Sequence, residues 1–532
     1  MIMKLTKLFA PVLCLSLLLP TMANAAVTTT PATVDTPAVE LRAGLDYLLS
    51  EHFVLAVAAM TKAYDGSKDA AAAYQALDQN ALDMQPAIES LYGKAGGEEF
   101  ERIFRAHNKY TDELVKATKV NDSVARKKAE QEVQGFVTEF AAFLSAATEG
   151  NLPKAAAEQA IRSHEDHVQQ TFDAYIAGNY AGAYKTYREG YKEMFTISKV
   201  LSNAIVTQMP MKFNQSKVDT KAADLRSILN SVAAEHFALS ALQMQKQFDG
   251  KADFTALINA EAGNTADFKA AVASVYGAAG ADQFEKIWVG NHINAQSDYV
   301  NAVKNMDTAA RTAVLARIND FTQELGAFLG SATAENLPTA AAQASLKAHE
   351  AQVQNTFDQY AAGNYTASYA ANREGYKTMF AVGKALSGAI VAQYNDKFQE
   401  SAAPSSMTTV WMKINSKELN INGTTTLMDT TPMNWKGVTY IPLRYLGEGI
   451  GAEVKYDKQM NTVWVIAGKD TLKFWIGKSV MEVNGVQKSV GAKVFINEDG
   501  RTMVPLRFIA ELLKWDVAWS QSEGLIALTK SM

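Results

Sequence analysis

Seven histidines occur in the 532 residues, and six of them share one spacing. His52, His107 and His164 each stand 14 residues before a turn signal, at Gly66, Asn121 and Gly178. His236 and His349 stand 14 before Gly250 and Gly363, and His292 precedes the Met306-Asp307 turn by about the same interval. Imidazole is the commonest metal ligand among side chains. Three at one level of a helical bundle, with Glu51 and Glu165 beside one set and Glu235 and Glu350 beside the other, are the donor set of a His₃ or His₂-carboxylate transition-metal site. A haem gripped between helices is a second chemistry open to them. A packed core histidine, inherited with each repeat and bonded to a carbonyl or a neighbour, would keep the same spacing. His164-Glu165-Asp166-His167 also places two histidines on one helix face at i and i+3. It is one residue short of the His-Glu-x-x-His pattern, and the second copy reads His349-Glu350-Ala351-Gln352.

The elements that must carry these residues are duplicated. Glu51-His52-Phe53 returns as Glu235-His236-Phe237, Asn151-Leu152-Pro153 as Asn336-Leu337-Pro338, and Arg188-Glu189-Gly190-Tyr191 as Arg373-Glu374-Gly375-Tyr376. Both copies are rich in Ala, Leu, Glu, Lys and Gln, with apolar residues three and four apart, the helical period. Breaks at Asp65-Gly66-Ser67, Tyr92-Gly93, Asn121-Asp122-Ser123, Gly150-Asn151-Leu152-Pro153 and Gly178-Asn179 predict six helices paired as three hairpins. Each histidine then sits on the first helix of its hairpin, roughly 21 Å from the turn at 1.5 Å per residue. The tyrosine-rich last helices (Tyr180, Tyr184, Tyr187, Tyr191; Tyr365, Tyr369, Tyr376) read as core or helix interface.

Composition bounds the rest. The net charge of −5 and the lack of any basic face or tail exclude a nucleic-acid binder. Lys4 and Lys7, the apolar run Leu8 to Leu19 and Ala23-Asn24-Ala25 read as a secretory signal cleaved before Ala26. The only cysteine, Cys14, lies inside it, so the exported chain would have neither disulfides nor a membrane anchor. No second apolar stretch is expected to be long enough for a membrane. The organisation expected is a signal peptide at 1–25, a flexible leader at 26–38, helical repeats at 39–210 and 222–398, a linker at 399–408, and a different domain at 409–532.

That last domain is β-rich and itself duplicated. Tyr440-Ile441-Pro442-Leu443-Arg444-Tyr445 recurs as Met503-Val504-Pro505-Leu506-Arg507-Phe508, and Glu448 as Glu511. Asn422-Gly423 and Asn484-Gly485 are hairpin-turn signals before each unit. Six of the seven tryptophans lie beyond residue 400, where filling a small core is their expected use and stacking on wall glycan the alternative. Arg444 and Arg507 are expected to tie helix starts to strands.

With its paired Pro-Leu-Arg-aromatic core, this domain resembles the copper amine oxidase N-terminal-like, or stalk, domain. The resemblance implies an accessory module on an exported protein, mostly of Gram-positive bacteria. It does not imply oxidase chemistry, which needs a tyrosine in an Asn-Tyr-acid setting and three copper histidines. Here Asn179-Tyr180 is followed by Ala181 and Asn364-Tyr365 by Thr366, no His-x-His pair exists, and the module holds no histidine. The helical part resembles the helical repeats found ahead of such modules, which adds a neighbourhood and not a mechanism. No nucleophile elbow, P-loop or dinucleotide fingerprint is present.

The fold class expected is therefore mainly α: two tandem up-and-down bundles of three hairpins each, followed by a duplicated α+β module. The function expected first is a non-catalytic, cell-envelope binding or scaffold protein, its C-terminal module contacting wall polymer or another envelope protein. A transition-metal- or haem-binding protein with one three-histidine site per bundle is the second reading. A metal-dependent hydrolase is the third.

Overall fold

The computed structural model describes residues 31–400, 407–421, 424–449, 452–467, 470–506, 515–520 and 524–531. The expected signal peptide, most of the expected linker, the Asn422-Gly423 turn and the Arg507-Phe508 and Glu511 positions lie outside them.

The first bundle is built from α1 (Pro37–Asp65), α2 (Ala70–Lys119), α3 (Ser123–Ala147), α4 (Lys154–Ile176) and α5 (Tyr180–Gln208). The long α2 is two helices in one run. Gly93, at φ 76° and ψ 174°, bends it where the sequence predicts a break, so three hairpins result. The second bundle repeats the pattern with α6 (Lys221–Asp249), α7 (Phe254–Trp288), α8 (Asn294–Lys304), α9 (Thr308–Ala332), α10 (Thr339–Ala361) and α11 (Tyr365–Gln393). Its bend is at Gly277. Between α7 and α8 one wider π-turn, Val289–Ile293, continues the helix.

The periodic turns have one conformational cause. Gly66, Asn121 and Gly178 have φ of 66°, 56° and 74°, and Gly250, Met306 and Gly363 of 65°, 55° and 79°. All six are left-handed residues that close the preceding helix, which glycine and asparagine adopt cheaply. Met306 takes the same angle without that freedom.

Two expectations need correction. Residues at the end of the expected flexible leader are held in place: Val34 is buried and its carbonyl accepts from Arg226 Nη1 at 2.8 Å, while Ala32 bonds Asn395. α1 is also long and apolar enough to cross a membrane by length and composition. Two thirds of that stretch is buried in the bundle, and it serves as a core helix.

The two bundles pack on each other by a pseudo-twofold rule, in which the main contacts from the first to the second are returned. Arg188 of α5 clamps Glu235 with two bonds of 3.0 Å, and Arg373 of α11 clamps Glu51 at 3.1 and 2.8 Å. Arg42 reaches Val218 O and Asp224, while Arg226 reaches Val34 O and Glu40. Tyr184 bonds Asp253 and Tyr369 bonds Asp69. The hydroxyls of Tyr191 and Tyr376 meet at 3.3 Å. Such pairing of a surface with its own copy is the geometry of an isologous dimer, here within one chain. The tyrosines read as core or interface do serve as such: Tyr184, Tyr187, Tyr191, Tyr369 and Tyr376 are all buried.

Strands begin at Met407. That first strand, Met407–Lys413, pairs antiparallel with the last, Leu525–Ser531. The two Pro-Leu-Arg strands pair with each other, Met503 opposite Pro442 and Pro505 opposite Tyr440, so the half-repeats also meet as a reciprocal pair. Asn484-Gly485 makes its turn with both residues at positive φ, 49° and 84°, as the hairpin it joins requires. Trp515 is buried in the module, Trp435 is exposed, and Val410, Phe474, Val504 and Ile526 form part of the apolar centre.

Candidate metal centres

α1, the second half of α2 and α4 are the parallel helices of the first bundle. Because each closes on its left-handed residue at one distance from its histidine, His52, His107 and His164 arrive at one level. They also face one another. One ring nitrogen from each lies within 4.8 Å of the others, and all three side chains are buried. Ring centres are separated by 5.7 Å (His52–His107), 5.6 Å (His52–His164) and 6.4 Å (His107–His164). The second bundle repeats this with His236, His292 and His349, whose centres are 4.9, 5.6 and 5.8 Å apart. His236 Nε2 and His292 Nε2 are 2.8 Å apart.

One residue is inserted in the second copy between its bend and its histidine. Phe104 precedes His107 by three, but its counterpart Trp288 precedes His292 by four. The π-turn Val289–Ile293 absorbs the extra residue, so Trp288 packs on His236 (4.6 Å) as Phe104 packs on His52 (4.7 Å). Such turns inside helices often sit at functional sites. Phe136 and Phe321 stack on His107 and His292 at 4.3 and 4.4 Å.

Of the four expected carboxylates, two are at the sites and two are not. Glu165 Oε1 lies 3.4 Å from His107 Nε2 and 3.8 Å from His164 Nε2. Glu350 Oε1 lies 2.8 Å from His292 Nδ1, without the alignment of a hydrogen bond, and 3.9 Å from His349 Nε2. Glu51 and Glu235 are instead bound by the arginines of the opposite bundle and by Asn80 and Asn264. Successive residues on a helix point about 100° apart. From α1 that turn aims Glu51 at the other bundle, whereas from α4 it aims Glu165 at His107. His167 belongs to neither cluster: its Nδ1 meets Ser163 O and Glu193, which replaces the idea of a separate site with His164.

Sequence reasoning missed Glu261. Its Oε1 is 2.5 Å from His236 Nδ1, and both are buried. The signal was a break in the repeat, because the first copy has Leu77 there.

The electrostatics follow from burial. Desolvation drives the His107, His164 and His349 pKa values down to about 3, 4 and 3, and holds His52 and His236 well below the usual imidazole value. They are therefore neutral, the form that ligates metals. Burial pushes Glu165 and Glu261 up to about 8. Burial would also raise Glu350, but the adjacent His292 outweighs it and lowers it. Many lone pairs remain unmatched within the protein: both ring nitrogens of His52 and His349, Nδ1 of His107, His164 and His292, and Oε1 of Glu165 and Glu350 make no hydrogen bond. An unsatisfied buried polar group costs about 1–3 kcal/mol, and a cation bound by several of them at once would remove that cost.

Residues 381–465 and 420–528 match the family model described as copper amine oxidase N-terminal domain. The C-terminal module is thus of that kind, and of copper amine oxidase it is this N-terminal domain alone that is matched. No curated protein and no solved structure matches the chain.

Proposed function

We propose that this chain, with its copper amine oxidase N-terminal-type module, is an exported cell-envelope protein that binds one transition-metal ion in each helical bundle. One observation carries the reading: six buried histidines converge in two sets of three, each with a glutamate beside it and with several ring nitrogens that make no hydrogen bond within the protein. Three imidazoles and one carboxylate suit a borderline divalent ion such as zinc, copper, nickel or cobalt. Phe104 and Phe136 lie directly on the first set, filling space a porphyrin would need, which favours an ion over haem. The role is binding and not turnover: Glu165 and Glu350 are assigned as ligands, and Glu261 as the support of His236.

The deciding measurement is metal content of purified mature protein, with a visible spectrum. About two equivalents are expected, falling to about one when His52, His107 and His164 are all replaced by Ala. Protein that takes up no zinc, copper, nickel or cobalt on titration, with a triple variant that only melts earlier, would make the histidines structural.

The C-terminal module supports attachment to wall polymer or an envelope partner. Full-length protein should sediment with purified cell wall and a chain ending at residue 400 should not. Equal retention of the two would remove that role from the module.

A further inference from the structure

The two histidine sets share ligands but not surroundings. Glu261 takes His236 Nδ1 at 2.5 Å, which turns Nε2 toward His292, 2.8 Å away. Ser240 Oγ stands 3.4 Å from the same Nδ1, and Gln296 Nε2 donates to that hydroxyl at 3.1 Å. The first copy has Leu77, Ala56 and Thr111 at these three positions, and neither nitrogen of His52 is bonded. Leu77 and Thr111 there line a cavity of about 410 Å³ that reaches Asn108, Asp112 and the exposed Lys116.

We infer that the two centres are unequal: the second, with Glu261 fixing His236, is a tight resident site, and the first is a weaker, exchangeable one. This rests on the metal-binding reading above. A carboxylate on the far nitrogen of a ligating imidazole fixes its tautomer and orientation and raises its basicity, and loss of such a partner typically weakens binding about 10–100-fold. His52 lacks that support, so its ring must be oriented by the ion itself. Glu261 is a positioning residue; the ligating groups are His236, His292, His349 and Glu350.

The test is titration of metal-free full-length protein with cobalt(II), read by its visible bands and in competition with a chelator. Wild type should fill in two steps at least about tenfold apart. His107→Ala should delete the weaker step only. Glu261→Leu should weaken the tight step by about 10–100-fold and leave the other in place. Glu261→Gln, which keeps the shape but cannot become a carboxylate when the ion binds, should weaken the tight step by less, and covers the case in which the leucine variant does not fold. Two equal steps in wild type, or a tight step that survives both Glu261 variants, would overturn the inequality and leave metal binding standing. No cobalt uptake by wild type would overturn metal binding itself.

Discussion

A buried carboxylate at the contact between the bundles shows how one residue sets a pH response. Asp46 of α1 is almost wholly buried and accepts from Ser198 and from Ser227, the latter across the interface. Desolvation outweighs these bonds and nearby Arg42, and raises its pKa from the usual 3.8 to about 6. A carboxyl raised on folding stabilises the protein fully below its unfolded pKa, and that contribution is lost as pH rises through about 6. The second copy holds Asn230 at the equivalent place. Asp46→Asn should therefore stabilise the protein near pH 7 relative to wild type, by at most about 3 kcal/mol at about 1.4 kcal/mol per pKa unit. The advantage should shrink toward pH 4. Denaturant unfolding of both proteins across pH 4 to 8 measures it; a constant difference across the range would contradict the assignment.

At the scale of elements, the Glu-His-Phe and Arg-Glu-Gly-Tyr segments are two halves of one contact. His52 enters the site, Phe53 lies against Gly190 of its own bundle, and Glu51 accepts Arg373 of the other. A Cβ at Gly190 would lie 2.6 Å from the Phe53 ring, so the helix can pass only as glycine. Arg373→Ala would strand the buried Glu51 carboxylate. Breaking a buried pair in this way costs about 3–5 kcal/mol, and Arg188→Ala should cost a similar amount through Glu235. Adding Glu51→Gln to Arg373→Ala should recover part of the loss, as a double-mutant cycle in urea would register. The hairpins and the common level of the histidines were legible in the sequence, because left-handed turn residues at fixed distance from each histidine are local signals. The destination of Glu51 was not, because it depends on which surface the other bundle presents. Glu261 was hidden for the opposite reason, since it breaks the repeat that made the other ligands visible.

At the scale of the molecule, the bundles behave as a dimer whose two subunits are joined by the short stretch from Met209 to Thr220. Asn214 and Gln215 in it adopt left-handed angles, and Lys217 is exposed. Nothing in the reciprocal clamps needs that connection to be continuous. A chain with a protease site inserted at 215–217 should, after cleavage, still elute as one particle on gel filtration and separate into halves only in denaturant. Immediate separation would mean the covalent link holds the bundles together.

The reciprocal clamps also shape how such a chain can change. Arg188 answers to Glu235, 47 residues away in the opposite copy, and Arg373 to Glu51, 322 residues away. A substitution on one side is therefore felt by the other half, and the copies are kept alike where they touch. The residues beside each histidine set take no part in these reciprocal hydrogen bonds. There the copies have parted, Leu77 from Glu261 and Ala56 from Ser240. Doubling within one polypeptide locks the frame as a matched pair while leaving each interior to drift on its own.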